Sequence, residues 1–79
     1  MSDDVSRITA IICRIGKLGD LEPDRDFYDA GFSSIAALEL LIELETEFCV
    51  SIPDDDFVSA RTATRLSSII ARLKQEQPA

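Results

Sequence analysis

The chain has 79 residues and a net charge of −7, with 15 acidic and 8 basic residues and no histidine. That balance excludes nucleic acid as a natural partner, because phosphate binding relies on Lys and Arg displacing counterions, and it disfavours anionic membrane surfaces for the same reason. The length allows one domain, residues 1–79, near the lower limit for a core that folds without metal or disulfide, and a hydrophobic content of 46% permits that core.

The first segment, SDDVSRITAIICRIGKLG, reads as a helix. Ser2 or Asp3 suits the cap, and Asp3 and Asp4 suit the positive end of the helix dipole. Val5, Ile8, Ile12 and Ile15 recur at helical spacing with Ile11 alongside, which makes one apolar stripe. Gly16 or Gly19 is expected to stop it. Residues 18–33 carry Pro23, Gly31 and several acids and are predicted to form a long loop. Leu18, Leu21, Phe27 and Tyr28 are expected to pin that loop to the core.

A second helix is predicted from about Ser34 to Phe48. Ile35, Leu38, Leu41, Ile42 and Phe48 share a broad apolar face, and Leu40 and Leu44 widen it beyond the need of a simple surface helix. Glu39, Glu43 and Glu47 step by four along another face, and Glu45 extends the acidic surface. From Asp26 to Ala60 there are nine acids and no Lys or Arg, which points to a docking face for a basic partner rather than a merely solvated one. The next stretch, SIPDDDFVSA, predicts a short helical turn begun by Pro53 and anchored by Phe57 and Val58. A last helix is predicted from Thr62 or Thr64 to about Lys74, with Leu66, Ile69, Ile70 and Leu73 inward and a frayed QEQPA tail, so that the ordered part runs from about 3 to 74. The fold class is therefore all-α: a small bundle of three main helices plus one short helix, with a long first connection.

The chain is unlike an enzyme. Without histidine there is no Ser-His-Asp or Cys-His arrangement, and no glycine-rich phosphate loop occurs. Asp20, Glu22, Asp24 and Asp26 alternate as in a calcium loop, but the sixth and twelfth positions hold Arg25 and Gly31 instead of Gly and Glu, so no metal site is expected. Cys13 and Cys49 form neither a zinc nor a redox pattern and are expected to be reduced and packed. Residues 1–15 lack the continuous apolar run of a secretory leader, and no segment reaches membrane-spanning length, so a cytoplasmic monomer is expected. What remains is DAGFSSIAALELL, where two serines meet the start of the acidic helix. One serine is an ordinary cap. An exposed hydroxyl there is also open to modification by another enzyme.

The stretch DAGFSSIAALELLIELETEFCVSIPDDDF resembles the central motif of acyl carrier proteins, through Phe27, Gly31, Ser34, Glu39-Leu40, Glu45, Phe48 and Ile52-Pro53-Asp54. The resemblance implies an acyl-carrier-like helical bundle bearing a covalent 4′-phosphopantetheine arm, transferred from coenzyme A by a phosphopantetheinyl transferase (holo-carrier synthase). The family serine lies five residues before the Glu of Glu-Leu, which assigns the arm to Ser34. Ser33 then stands where the family usually has Asp. The implied role is a carrier, not an enzyme, that holds acyl intermediates as thioesters for fatty-acid, lipid or specialised acyl metabolism. An aminoacyl, peptidyl or D-alanyl carrier, or an unmodified helical interaction module, are the alternatives. Partners with basic docking patches, acyl-loading and acyl-transferring enzymes among them, would meet Glu39, Glu43, Glu45 and Glu47 together with Ile35, Leu38 and Ile42. The change from Asp to Ser at position 33 points to a dedicated pathway as readily as to housekeeping elongation.

Overall fold

A computed structural model describes residues 3–76. The cap expected of Ser2 and the end of the frayed tail, residues 77–79, lie outside the described residues. Four helices follow one another: α1 Asp3–Gly16, α2 Ala37–Phe48, α3 Asp54–Ser59 and α4 Ala63–Glu76, with a 3₁₀ turn, Ser34–Ala36, leading into α2. The described residues contain no strand. The all-helical expectation holds, and α4 runs two residues past the predicted end. α1 packs against both α2 and α4, so the three longest helices enclose one core.

Each helix turns its apolar side inward. Ile8, Ile11 and Ile12 of α1, Leu40, Leu44 and Phe48 of α2, and Ala63, Leu66, Ile69, Ile70 and Leu73 of α4 are buried. Thr62 caps α4 by accepting the Arg65 N–H at 3.0 Å. The buried side of α2 is narrower than its sequence face. Ile35 (90% exposed), Leu38 (66%) and Ile42 (55%) point away from the core, because the core needs one stripe of the helix and the row through Leu40, Leu44 and Phe48 fills it.

Two helix ends differ from the sequence reading. Neither Gly16 nor Gly19 supplies the left-handed stop of α1. Lys17 does, with φ 57°, and the Leu18 N–H closes back onto the Cys13 carbonyl at 2.9 Å. The same motif ends α2 at Cys49, φ 56°, where the Val50 N–H reaches the Glu45 carbonyl at 3.2 Å. Cys49 is therefore exposed rather than packed, while Cys13 is half-buried, and both thiols are free. Burial, helped by the charge of Asp20, pushes the Cys13 thiol above its ordinary pKa.

Gly16 serves another purpose. A Cβ there would stand 2.4 Å from Cδ1 of the Phe32 ring, and that ring is itself buried. The ring cannot swing into solvent, so it or the backbone must shift. Gly16→Ala is expected to destabilise by roughly 1–3 kcal/mol, as overpacking does, even though Ala is the better helix former by up to about 1 kcal/mol. Urea denaturation checks the sign; a variant more stable than wild type would show that the Phe32 ring has room.

Candidate functional site

The segment before α2 is built around one capped turn. Asp26 accepts the N–H groups of Tyr28 at 2.9 Å and Asp29 at 3.2 Å on the same carboxylate oxygen, as an N-cap residue does. The turn closes with the Phe32 N–H on the Phe27 carbonyl at 2.9 Å. Gly31 takes φ 114° between them, a conformation that a side chain would resist. The turn stacks three rings. Phe27 lies 4.7 Å from Tyr28 and 5.3 Å from Phe32, centroid to centroid, the latter pair edge-on. Phe27 and Leu21 are buried and Leu18 and Tyr28 pack against the core, as their apolar character predicts. Phe32 belongs to the same core.

Partners distant in sequence fix the loop. The Phe27 N–H donates to the Arg61 carbonyl at 2.9 Å and the Thr64 N–H to that of Pro23 at 3.1 Å. Arg61 Nε donates to Asp26 Oδ2, and its guanidinium lies 4.7 Å over the Tyr28 ring. The Arg61 hydrogen bond, with help from the backbone N–H groups, holds the Asp26 carboxyl below its ordinary pKa, and the same contact raises that of Arg61. A depressed carboxyl contributes stability above its unfolded pKa and loses it as pH falls through the folded value. Acid should therefore loosen this loop below about pH 4, and Asp26→Asn should shrink the gap in urea midpoint between neutral and acid pH. An unchanged gap would show that Asp26 does not supply the acid sensitivity.

The two serines part company at this point. Ser33 is extended, φ −76° and ψ 136°, and its hydroxyl accepts the Ile35 N–H at 3.1 Å. Ser33 is the cap. Ser34 opens the 3₁₀ turn, is exposed, and its hydroxyl makes no hydrogen bond among the described residues. It borders an open groove of about 490 Å³ lined by Tyr28, Phe32, Ala37, Phe57, Val58 and Arg61. Val58 was expected to anchor α3, yet it is 70% exposed. Phe57 alone does the anchoring, since a six-residue helix has one inward row, and Val58 lines the groove instead. A smaller groove between α3 and α4, about 320 Å³ and lined by Asp56, Ser59, Arg65, Ser68, Ile69 and Arg72, lies apart from both serines.

The acids of α2 are also divided. Glu43 pairs with Arg14 at 2.8 Å and Glu47 with Arg7, both cations coming from α1. Glu45 accepts the Ile52 N–H at 2.9 Å and ties down the α2–α3 connection. Glu39 is exposed and makes no ion pair among the described residues. No helix in the described residues is long and apolar enough to cross a membrane.

Residues 6–70 match the family described as phosphopantetheine attachment site. The chain belongs to that family. The group attached in this carrier family is 4′-phosphopantetheine. Similar proteins include the meromycolate extension acyl carrier proteins of Mycobacterium leprae, Mycobacterium tuberculosis (strain ATCC 25618 / H37Rv) and Mycolicibacterium smegmatis, each 28% identical over 60 residues, or 75% of this chain. Those residues cover 52% of each of the first two proteins and 61% of the third. The carrier domain thus spans little more than half the length of these curated relatives. No solved structure matches the chain.

Of the groove residues, sequence reasoning gave Tyr28, Phe57 and Val58 packing roles only and passed over Phe32, Ala37 and Arg61. The turn holding Phe32 carried a usable signal, an Asp cap at 26 followed by Gly31. Arg61 carried none, because its partners Asp26 and Tyr28 lie more than thirty residues away.

Proposed function

We propose that this domain is an acyl carrier whose 4′-phosphopantetheine arm is attached through the Ser34 hydroxyl, and that it presents acyl intermediates to partner enzymes. The reading is carried by one contrast within the family motif: Ser33 Oγ is engaged as a cap, whereas Ser34 is exposed beside an open groove with an unengaged hydroxyl. When attached, the arm supplies a terminal thiol that holds cargo as a thioester. The chain's own residues do the rest. Ser33 and Gly31 orient the turn, while Tyr28, Phe57 and Val58 offer the apolar wall along which an arm can lie. Arg61, held by Asp26, is the cation at the groove. Nothing among these side chains would activate the serine, so attachment is work for a separate transferase.

The similarity to carriers named for meromycolate extension supports an acyl cargo over an aminoacyl one. Incubation with a broad-specificity phosphopantetheinyl transferase and coenzyme A is expected to add the mass of one arm to the intact chain, with the added mass on the peptide containing Ser34. No added mass, or an arm on another residue, would overturn the assignment.

A further inference from the structure

We propose that Arg61 binds the phosphodiester that joins the arm to Ser34, and so holds the first part of the arm in the groove. The inference rests on the carrier reading above and assigns a ligand contact to a residue outside the serine motif. In a chain with 15 acids, the groove that Ser34 borders is lined by no carboxylate, and Arg61 is its one charged side chain among the described residues. Of the N–H donors of that guanidinium, Nε is spent on Asp26 Oδ2, while the Nη groups make no hydrogen bond among the described residues. Three contacts fix where those donors sit. Asp26 holds Nε, the Tyr28 ring lies 4.7 Å beneath the guanidinium, and the Arg61 carbonyl accepts the Phe27 N–H at 2.9 Å. A cation held this way gives up little rotamer freedom when it binds.

The chemistry of the missing partner follows from what lies around those donors. A phosphodiester is anionic and presents a pair of unesterified oxygens, the arrangement that a guanidinium fork matches. Bonded to Ser34 Oγ, it would enter the groove that Arg61 lines. Asp26 and Asp29 both act on Arg61 through their charge, yet neither lines the groove, and Asp26 Oδ1 is turned to the N–H groups of Tyr28 and Asp29. Ser33, next to the attachment point, adds no charge that would repel an anion. Arg65, in the smaller groove, lies apart from both serines. A carboxylate on the cargo fits Arg61 less well. It would ride at the far end of a long flexible arm, so its effective concentration at Arg61 would be lower than that of a group anchored on Ser34.

Phosphorus NMR of the loaded chain tests this, with the same chain unfolded in urea as the contact-free reference. In the folded wild type the phosphodiester resonance is expected to stand away from that reference at low salt and to move toward it at about 0.5 M salt, because a half-exposed charged contact is screened. Arg61→Gln is expected to bring the resonance to its high-salt position at low salt. Loading should raise the wild-type Tm by roughly 2–6 °C, and that of Arg61→Gln by less than about 1 °C. Comparing unloaded and loaded forms of each variant cancels whatever the loss of the Asp26 contact costs the fold. Arg65→Gln removes the same charge from the other groove and should behave as wild type. Should Arg61→Gln fail to fold, the wild-type salt series decides: a resonance that salt does not move overturns the proposal. So does a folded Arg61→Gln that keeps the wild-type resonance and gain in Tm, or an Arg65→Gln that loses both, which would reduce the effect to net charge. A response seen with a succinyl-loaded arm and absent with the arm alone gives Arg61 to a cargo carboxylate and overturns it as well. A wild type that takes no arm, or takes it away from Ser34, instead defeats the carrier reading, and this inference with it.

Discussion

Ser34→Ala is expected to abolish arm attachment outright, whereas Ser33→Ala is expected to keep attachment and weaken the fold. The asymmetry follows from what each hydroxyl is doing. Ser34 Oγ is exposed and uncommitted, so its removal costs the fold little and removes the proposed nucleophile. Ser33 Oγ is committed to the Ile35 N–H. Its loss leaves an orphan donor at the start of the 3₁₀ turn, a defect of about 0.5–2 kcal/mol for a cap. In a domain of this size that lowers Tm by roughly 4–8 °C per kcal/mol. Ser33→Asp should restore the cap, because Asp and Ser are both good cap residues. The Ser that stands where the resemblance to acyl carriers would put Asp thus preserves the turn and drops one negative charge beside the proposed attachment point. Intact mass and thermal melts on the three variants check the claim. Attachment surviving in Ser34→Ala, or lost in a folded Ser33→Ala, would reverse the assignment of the two serines.

Phe27→Ala has the largest expected effect on stability. Phe27 is fully buried, packs against the rings of Tyr28 and Phe32, and donates its N–H to the carbonyl of Arg61. Truncating a buried Phe costs about 3–5 kcal/mol, a large part of the roughly 5–15 kcal/mol that holds a whole domain together. The cavity would open at the joint between the loop and the α3–α4 junction, not within a helix pair. Loss of loop order should therefore accompany loss of stability, and residual folded molecules should load poorly at Ser34. Urea unfolding measures the first effect, and loading in the presence of a stabilising osmolyte the second. A loss below about 1 kcal/mol would mean that the neighbouring rings collapse into the space.

Local signals carried much of the architecture. The stripe of Val5, Ile8, Ile12 and Ile15, with Ile11 alongside, picked out the inner side of α1, where Ile8, Ile11 and Ile12 are buried and Val5 and Ile15 at its two ends are half-buried; Leu66, Ile69, Ile70 and Leu73, named from spacing alone, are all buried. Pro53 followed by three Asp residues announced α3. By contrast, α2 has leucine or isoleucine on more than one side, so periodicity could not say which row met the core. Only the positions of α1 and α4 chose Leu40, Leu44 and Phe48, and left Ile35, Leu38 and Ile42 outside.

By itself the sequence determined that this is an acidic helical domain with a carrier motif, because helix period, composition and motif register are properties of neighbouring residues. Tertiary structure decided which features of that domain are available. It matched Glu43 and Glu47 to arginines 29 and 40 residues away, spent Glu45 on a connection, turned Val58 outward and brought Arg61 to the groove beside Ser34. Charge on a helix is written locally, but whether a charge is free depends on what the rest of the chain folds against it.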